Sequence, residues 1–190
     1  MVSSSHGQFV CDTTTGGGGW IIFNRRLASF AGFERNWEVY KSGFGDLNGD
    51  FWMWLDRLVY LCPLEKPCQV RAEWIYNGDT FFVEYNTFSV ADESDNYRMV
   101  GPTTAGRTGA QWDKLSINNG VPFSTFDNDN DGISGGHCAS WGEAGFWYKS
   151  DGNCCNNNHY DISGKWSVIG RGDIHFNDLP VTILELKVRI

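Results

Sequence analysis

Residues 127–180 show neither helical nor strand periodicity, and they open on Asp127-Asn128-Asp129-Asn130-Asp131-Gly132. A compact domain keeps so long an irregular segment only when something besides a backbone ladder organises it, and such segments usually carry function. The opening run supplies an organiser. Three carboxylates alternate with amides, and a glycine lets the chain turn sharply. Hard cations such as Ca²⁺ need many oxygen ligands from a bent loop of this kind. An EF-hand begins the same way but requires a bidentate Glu at its twelfth position. Counted from Asp127, that position is Cys138, and the flanks lack amphipathic helices. The run is followed instead by His137-Cys138, Phe146-Trp147-Tyr148 and Cys154-Cys155. The bland alternative is a solvated polar turn. The cysteine-rich, aromatic surroundings favour a cation loop in an extracellular binding module.

The chain has 190 residues, enough for one substantial core. Its 9 Trp and 23 Gly suit a loop-heavy domain in which aromatics pack irregular segments. A net charge of −8 disfavours nucleic acid as a partner, and no apolar run reaches bilayer length. Residues 1–8 are short and polar, without the apolar run of a signal peptide. They read as a disordered start, with Met1 the beginning of an excised domain. Six cysteines suggest disulfides in a secreted protein. Cys62 and Cys68 flank Pro63 and Pro67, a spacing suited to bridging two strand ends. His137, Cys138, Cys154, Cys155 and His159 are zinc-ligand types, but they form no Cys-x₂-Cys knuckle, and a secreted context prefers disulfides.

A strand is expected over Trp20 to Phe23, and a helix over Phe33 to Gly43, where Phe33, Trp37 and Tyr40 recur at helical spacing. Residues 68–126 read as a sheet. Val70, Ala72 and Trp74 alternate with polar residues, as do Phe81, Val83 and Tyr85 after the Asn77-Gly78-Asp79 turn. Leu184, Leu186, Val188 and Ile190 alternate in a last strand that returns to the sheet. Gly16 to Gly19 lacks the Lys-Ser/Thr and helix of a phosphate loop and reads as a tight turn. No Ser/His/Asp or Cys/His arrangement has a convincing spacing, and the acids are accounted for by the cation. A non-enzymatic protein is expected.

In order along the chain stand Cys11-Asp12, Gly17-Gly18-Gly19-Trp20, Phe23-Asn24-Arg25-Arg26, Phe33-Glu34-Arg35-Asn36-Trp37 and Tyr40-Lys41-Ser42-Gly43-Phe44-Gly45-Asp46-Leu47. Gly49-Asp50-Phe51-Trp52, Phe123-Ser124-Thr125-Phe126-Asp127, Cys138-Ala139 and Glu185-Leu186-Lys187-Val188-Arg189 follow. Together these segments resemble the fibrinogen-related domain family. The resemblance implies an α+β, fibrinogen C-terminal-like fold: a central antiparallel sheet with short helices and a loop-rich, calcium-binding C-terminal subdomain. It divides residues 9–190, a single domain, into an N-terminal subdomain at about 9–60, a central sheet at 61–126, a loop-rich binding subdomain at 127–182 and a closing strand at 183–190. It also implies a Ca²⁺ held by the side chains of Asp129 and Asp131 and the carbonyls of Ile133 and Gly135, with Asp127 bracing the loop. This chain has one residue more between Asp131 and Cys138 than the family pattern.

In lectin members of that family an acetyl-binding pocket lies beside the calcium loop, spanned by a disulfide. The resemblance therefore implies a Cys138–Cys154 bridge, or Cys138–Cys155. It implies pocket walls from Trp141, Tyr148, Tyr160 and Trp166, with Cys155, Asn156 and His159 contributing polar contacts. An acid that receives a peptide amine in fibrin-type members is replaced here by Gly142, next to Glu143. Cys11 corresponds to a cysteine whose partner lies upstream. The expected function is a secreted, calcium-bound lectin in innate immunity, reading acetylated glycans or microbial surface polysaccharides, with a parent protein that oligomerises. The alternative is a protein-binding module for a receptor or fibrin-type peptide with structural calcium. Arg171-Gly172-Asp173 adds an integrin adhesion reading.

Overall fold

The computed structural model describes residues 2–4, 7–27, 32–107, 115–149, 174–176, 179–181 and 183–190. Its centre is an antiparallel sheet. In chain order its strands are β1 (Val2–Ser4), β2 (Gly7–Asp12), β3 (Trp20–Arg26), β4 (Phe44–Gly45), β5 (Phe51–Trp52), β6 (Cys68–Tyr76), β7 (Asp79–Val90) and β8 (Met99–Arg107), with β11 (Ile183–Arg189) last. The spatial order is β1-β2-β3-β11-β6-β7-β8, and the short β4 and β5 are added beside β3. A separate ribbon pairs β9 (Ile174–Phe176) with β10 (Leu179–Val181). The helices are α1 (Trp37–Ser42), α2 (Leu55–Leu61) and α3 (Cys138–Gly142).

The period-2 pattern of the last strand places β11 in the middle of the sheet. Leu184 pairs with Arg26 on one side and Trp74 on the other. Leu184, Leu186 and Val188 are buried on the core face. Asn77 (φ 51°) and Gly78 (φ 86°) are both left-handed between the paired Tyr76 and Asp79. This is the two-residue turn that an Asn-Gly pair favours, and it fixes the β6–β7 register.

Three expectations change. The helix begins at Trp37, because Asn36 caps it: its Oδ1 accepts from Val39 N at 3.0 Å. Phe33 lies before the cap, its ring edge-on to Phe44 at 5.1 Å. Gly43 (φ 79°) ends the helix as expected. The cysteine bridge Cys62–Cys68 is present, but it joins a helix end to a strand start. Leu55, Leu58 and Leu61 form the buried stripe of α2, and Cys62 is its C-cap. Residues 1–8, read as lying outside the domain, contribute β1 and the start of β2. Backbone pairing at a sheet edge needs no apolar side chain, so polarity did not reveal it.

The core is aromatic. Tyr40, Trp52, Phe123 and Trp147 form one cluster with ring centroids 5.1–6.0 Å apart. Such pairs add about 0.5–1.5 kcal/mol each beyond area burial. Tyr40 and Trp147 bond their polar tips, whereas Trp52 Nε1 has no partner among the described residues. Tyr40 OH donates to Phe33 O (2.7 Å) and accepts from Gly145 N (2.8 Å), and Trp147 Nε1 donates to Tyr97 O (2.7 Å). On the sheet's other face runs a charged strip. Lys187 Nζ meets Asp12 at 2.8 Å, Glu73 at 3.0 Å and Glu185 at 3.5 Å. Glu185 also pairs with Arg25, while Arg71 pairs with Glu73 and Glu84.

Candidate metal centre

The aromatic cluster positions the cation loop. Ser124, between core residues Phe123 and Thr125, makes a bridge with Phe146, and Thr125 one with Asn128. The alternation of the run then separates two jobs. Asn130 faces the scaffold: its backbone N–H donates to Ser124 Oγ (2.9 Å) and its amide to Phe123 O (2.9 Å). Asp127 also serves the scaffold. Its Oδ1 accepts from Trp37 N at 3.0 Å and from Thr125 Oγ1 at 2.7 Å. That leaves the carboxylates of Asp129 and Asp131.

Asp131 is the buried one, at 2% exposure. Its Oδ1 accepts from Ile133 N and its Oδ2 from Cys138 N, each at 2.8 Å. One carboxylate therefore holds both ends of the 133–138 turn. Among the described residues no Lys or Arg pairs with it. A buried carboxylate without a counter-charge is costly, and a bound cation relieves that cost. Asp129 is exposed, and its Oδ1 accepts from Asp131 N at 3.3 Å. The two acids and His137 bring one ligand atom each to within 4.8 Å of one another. This donor set fits a divalent cation. Asp129 and Asp131 would hold a Ca²⁺ through oxygen. Ile133 is half-buried and its carbonyl already accepts from Gly136 N at 3.3 Å, while Gly135 is exposed with φ 77°.

The remaining expected residues divide sharply. Trp141 on α3 is 48% exposed, whereas Tyr148 is 6% exposed. The Tyr148 hydroxyl donates to Ala144 O at 2.8 Å, and its ring packs edge-on to Phe146. Trp141 borders the cation loop: a Cβ at Gly136 would sit 2.7 Å from Ile133 Cγ2 and 3.0 Å from the Trp141 ring. Cys138 is disulfide-bonded, and Cys11 carries a free thiol. Cys154, Cys155, Asn156, His159, Tyr160, Trp166 and the Arg171–Asp173 triplet lie outside the described residues. The sequence reading left His137 out of the calcium set. No local signal marks it, because His137 reaches the acids only through the fold-back of the 133–138 turn.

A family profile described as the C-terminal globular domain of fibrinogen beta and gamma chains matches residues 3–175. The chain is 36% identical to fibrinogen-like protein A of Apostichopus parvimensis, covering 94% of this chain and 63% of that protein. It is 34% identical to angiopoietin-related protein 7 of Bos taurus, covering 90% of this chain and 47% of that protein. With tenascin of Mus musculus it shares 35% identity over 75% of this chain and 6% of that one. The chain thus spans less than two thirds of these relatives. Among solved structures, the fibrinogen-like globe domain of human ANGPTL2 superposes with a TM-score of 0.79 at 27% identity, covering 96% of this chain and 85% of that one. The globe domain of human ANGPTL6 gives 0.75 at 26% identity, covering 94% and 81%. With the antiparallel sheet, the short helices and the acidic loop already in place, these matches establish that the chain belongs to the fibrinogen C-terminal globular domain family.

Proposed function

We propose that this domain is an extracellular protein-recognition module whose binding surface is built around a calcium-braced loop. The observation that carries this reading is the exposed Trp141 against the 133–136 turn. A large exposed aromatic presented by a short helix is the kind of anchor that dominates protein interfaces. Calcium on Asp129 and Asp131 keeps the turn in one conformation, which lowers the ordering cost of binding. The angiopoietin-related proteins and tenascin among the relatives support the same reading, as does the Cys62–Cys68 disulfide, a bond of oxidising compartments. No helix among the described residues is long and apolar enough to cross a membrane. Oligomerisation of the parent protein would add avidity.

The lectin reading places acetylated sugars at the same surface. The burial of Tyr148 and the internal use of its hydroxyl weigh against Tyr148 as a pocket wall. Binding of the labelled domain to cells separates the two readings. A protein partner predicts binding that is lost when surface proteins are stripped with protease, weakened by chelator and by Trp141→Ala, and indifferent to free N-acetylglucosamine. Binding that survives stripping and is competed by N-acetylglucosamine, but not by glucosamine, would return the site to acetylated glycans.

A further inference from the structure

We propose that His137 completes, with Asp129 and Asp131, a site for a borderline transition-metal ion such as Zn²⁺. The loop would then take calcium on oxygen alone, or a transition ion on oxygen and imidazole nitrogen. This rests on the cation-loop reading above and adds the class of ion.

Two independent features point to it. The first is convergence. The three ligand atoms lie within 4.8 Å of one another, yet among the described residues no hydrogen bond or ion pair joins the imidazole to either carboxylate. Three potential ligand atoms this close together have a spacing compatible with one shared ion. The second is an unmet need. Nδ1 of His137 is shut off from solvent and has no hydrogen-bond partner among the described residues. Buried polar atoms are nearly always satisfied, and an ion bound at that nitrogen is one recognised reason for an exception.

The scaffold makes the arrangement stable. Cys138 N, one residue beyond the imidazole, donates to Asp131 Oδ2, so the chain carrying His137 is tied to the ligand carboxylate. His137 O accepts from Trp141 N at 3.1 Å, which fixes the other side of the residue to α3. The donor chemistry then decides the ion. Calcium prefers hard oxygen and gains little from imidazole. Zinc, cobalt and nickel favour it, and zinc accepts both carboxylate oxygen and imidazole nitrogen, with three protein ligands leaving a position for water. Cys138 takes no part, since it is in a disulfide.

The test is titration of Zn²⁺ and of Ca²⁺ by calorimetry into the metal-free domain at fixed neutral pH, with Co²⁺ absorption as a spectroscopic readout of nitrogen ligation. Three proteins are compared: wild type, His137→Asn and Asp129→Asn. Zn²⁺ affinity should fall at least about tenfold in His137→Asn, with loss of the Co²⁺ signal, while Ca²⁺ affinity stays within about twofold, because calcium does not use the ring. Asp129→Asn should weaken both ions. Zn²⁺ binding that is equal in wild type and His137→Asn overturns the proposal and leaves the calcium loop standing, whichever other histidine or thiol holds the ion. Wild type that binds neither ion overturns both.

Discussion

The backbone N–H of Trp37 donates to Oδ1 of Asp127 at 3.0 Å, tying the first turn of α1 to the first acid of the run 90 residues later. Thr125 Oγ1 donates to the same oxygen. The first carboxylate of the run is therefore a structural clamp, a task in which the second and third acids have no share. Asp127→Ala should destabilise the metal-free domain by about 1–2 kcal/mol through the unsatisfied Trp37 N–H. Asp127→Asn keeps an acceptor and should cost less than half of that. Urea unfolding in chelator reads both, and an alanine variant as stable as wild type would show the clamp to be dispensable.

Calcium should raise the thermal midpoint, because it binds the folded loop alone. At a concentration one hundred times its dissociation constant the gain is about 2.7 kcal/mol. Asp129→Ala should abolish that gain with little effect on the metal-free midpoint, since Asp129 is exposed. Asp131→Ala should abolish it and also lower the metal-free midpoint, since the N–H groups of Ile133 and Cys138 lose their acceptor. Differential scanning calorimetry with calcium and with chelator distinguishes the two patterns.

The charged strip predicts a pH profile with two limbs. Partial burial pushes the Asp12 carboxyl up. Hydrogen bonds from Lys187, Thr15 and Thr14 outweigh that effect and hold it far below the usual carboxylate range. Its contribution is complete above the ordinary carboxylate pKa and is lost as pH falls below that value toward the depressed folded one. For Lys187, burial acts to lower the pKa, and hydrogen bonds to Asp12 and Glu73 outweigh it, so the net shift is upward. Its contribution is complete below the ordinary lysine value and is lost as pH rises beyond it. Lys187→Met should lower the neutral plateau by about 3 kcal/mol and flatten both limbs. Limbs of unchanged slope would assign the pH dependence to other groups.

Replacing Cys62 and Cys68 together with Ala should cost about 2 kcal/mol, the loop-closure entropy of so short a ring. Both sulfurs are buried against the core, so the double variant keeps the packing demand while losing the tether. Denaturant midpoints of the variant and of wild type with its disulfides intact measure this. A difference near zero would mean that α2 and β6 are held by packing alone.

Local signals carried much of the fold. The alternation in β6, β7 and β11, the Asn77-Gly78 turn and the Gly43 stop are short-range patterns, and each is formed as expected. The helix α2 was hidden because Leu55, Leu58 and Leu61 share a short stretch with Trp54, Val59 and Tyr60, which blur its apolar stripe. The order of strands was not legible, because which neighbours β11 takes depends on pairings with residues more than one hundred positions away. At the site, the acidic run 127–132 was visible from composition and spacing, and the resemblance singled out Asp129 and Asp131 within it. The division between Asp127 and the other two acids was also given by resemblance, but its cause, the Trp37 N–H, lies in another part of the chain. His137 was missed as a partner of the acids because only the fold-back of the 133–138 turn brings it to them.

The central place of β11 also bears on how the domain is made in the cell. Strands β3 and β6 are joined in the sheet only through residues 183–189, which pair with both. While those residues are still inside the ribosome, the nascent chain holds two half-sheets with bare inner edges and an aromatic core open between them. Completion of this domain is therefore an event that follows synthesis of its last strand, and the partly made chain is the form in most need of a chaperone. Loss of even the last few residues of β11 removes the middle of the sheet, whereas Ile190, 63% exposed beyond it, tolerates an appended segment.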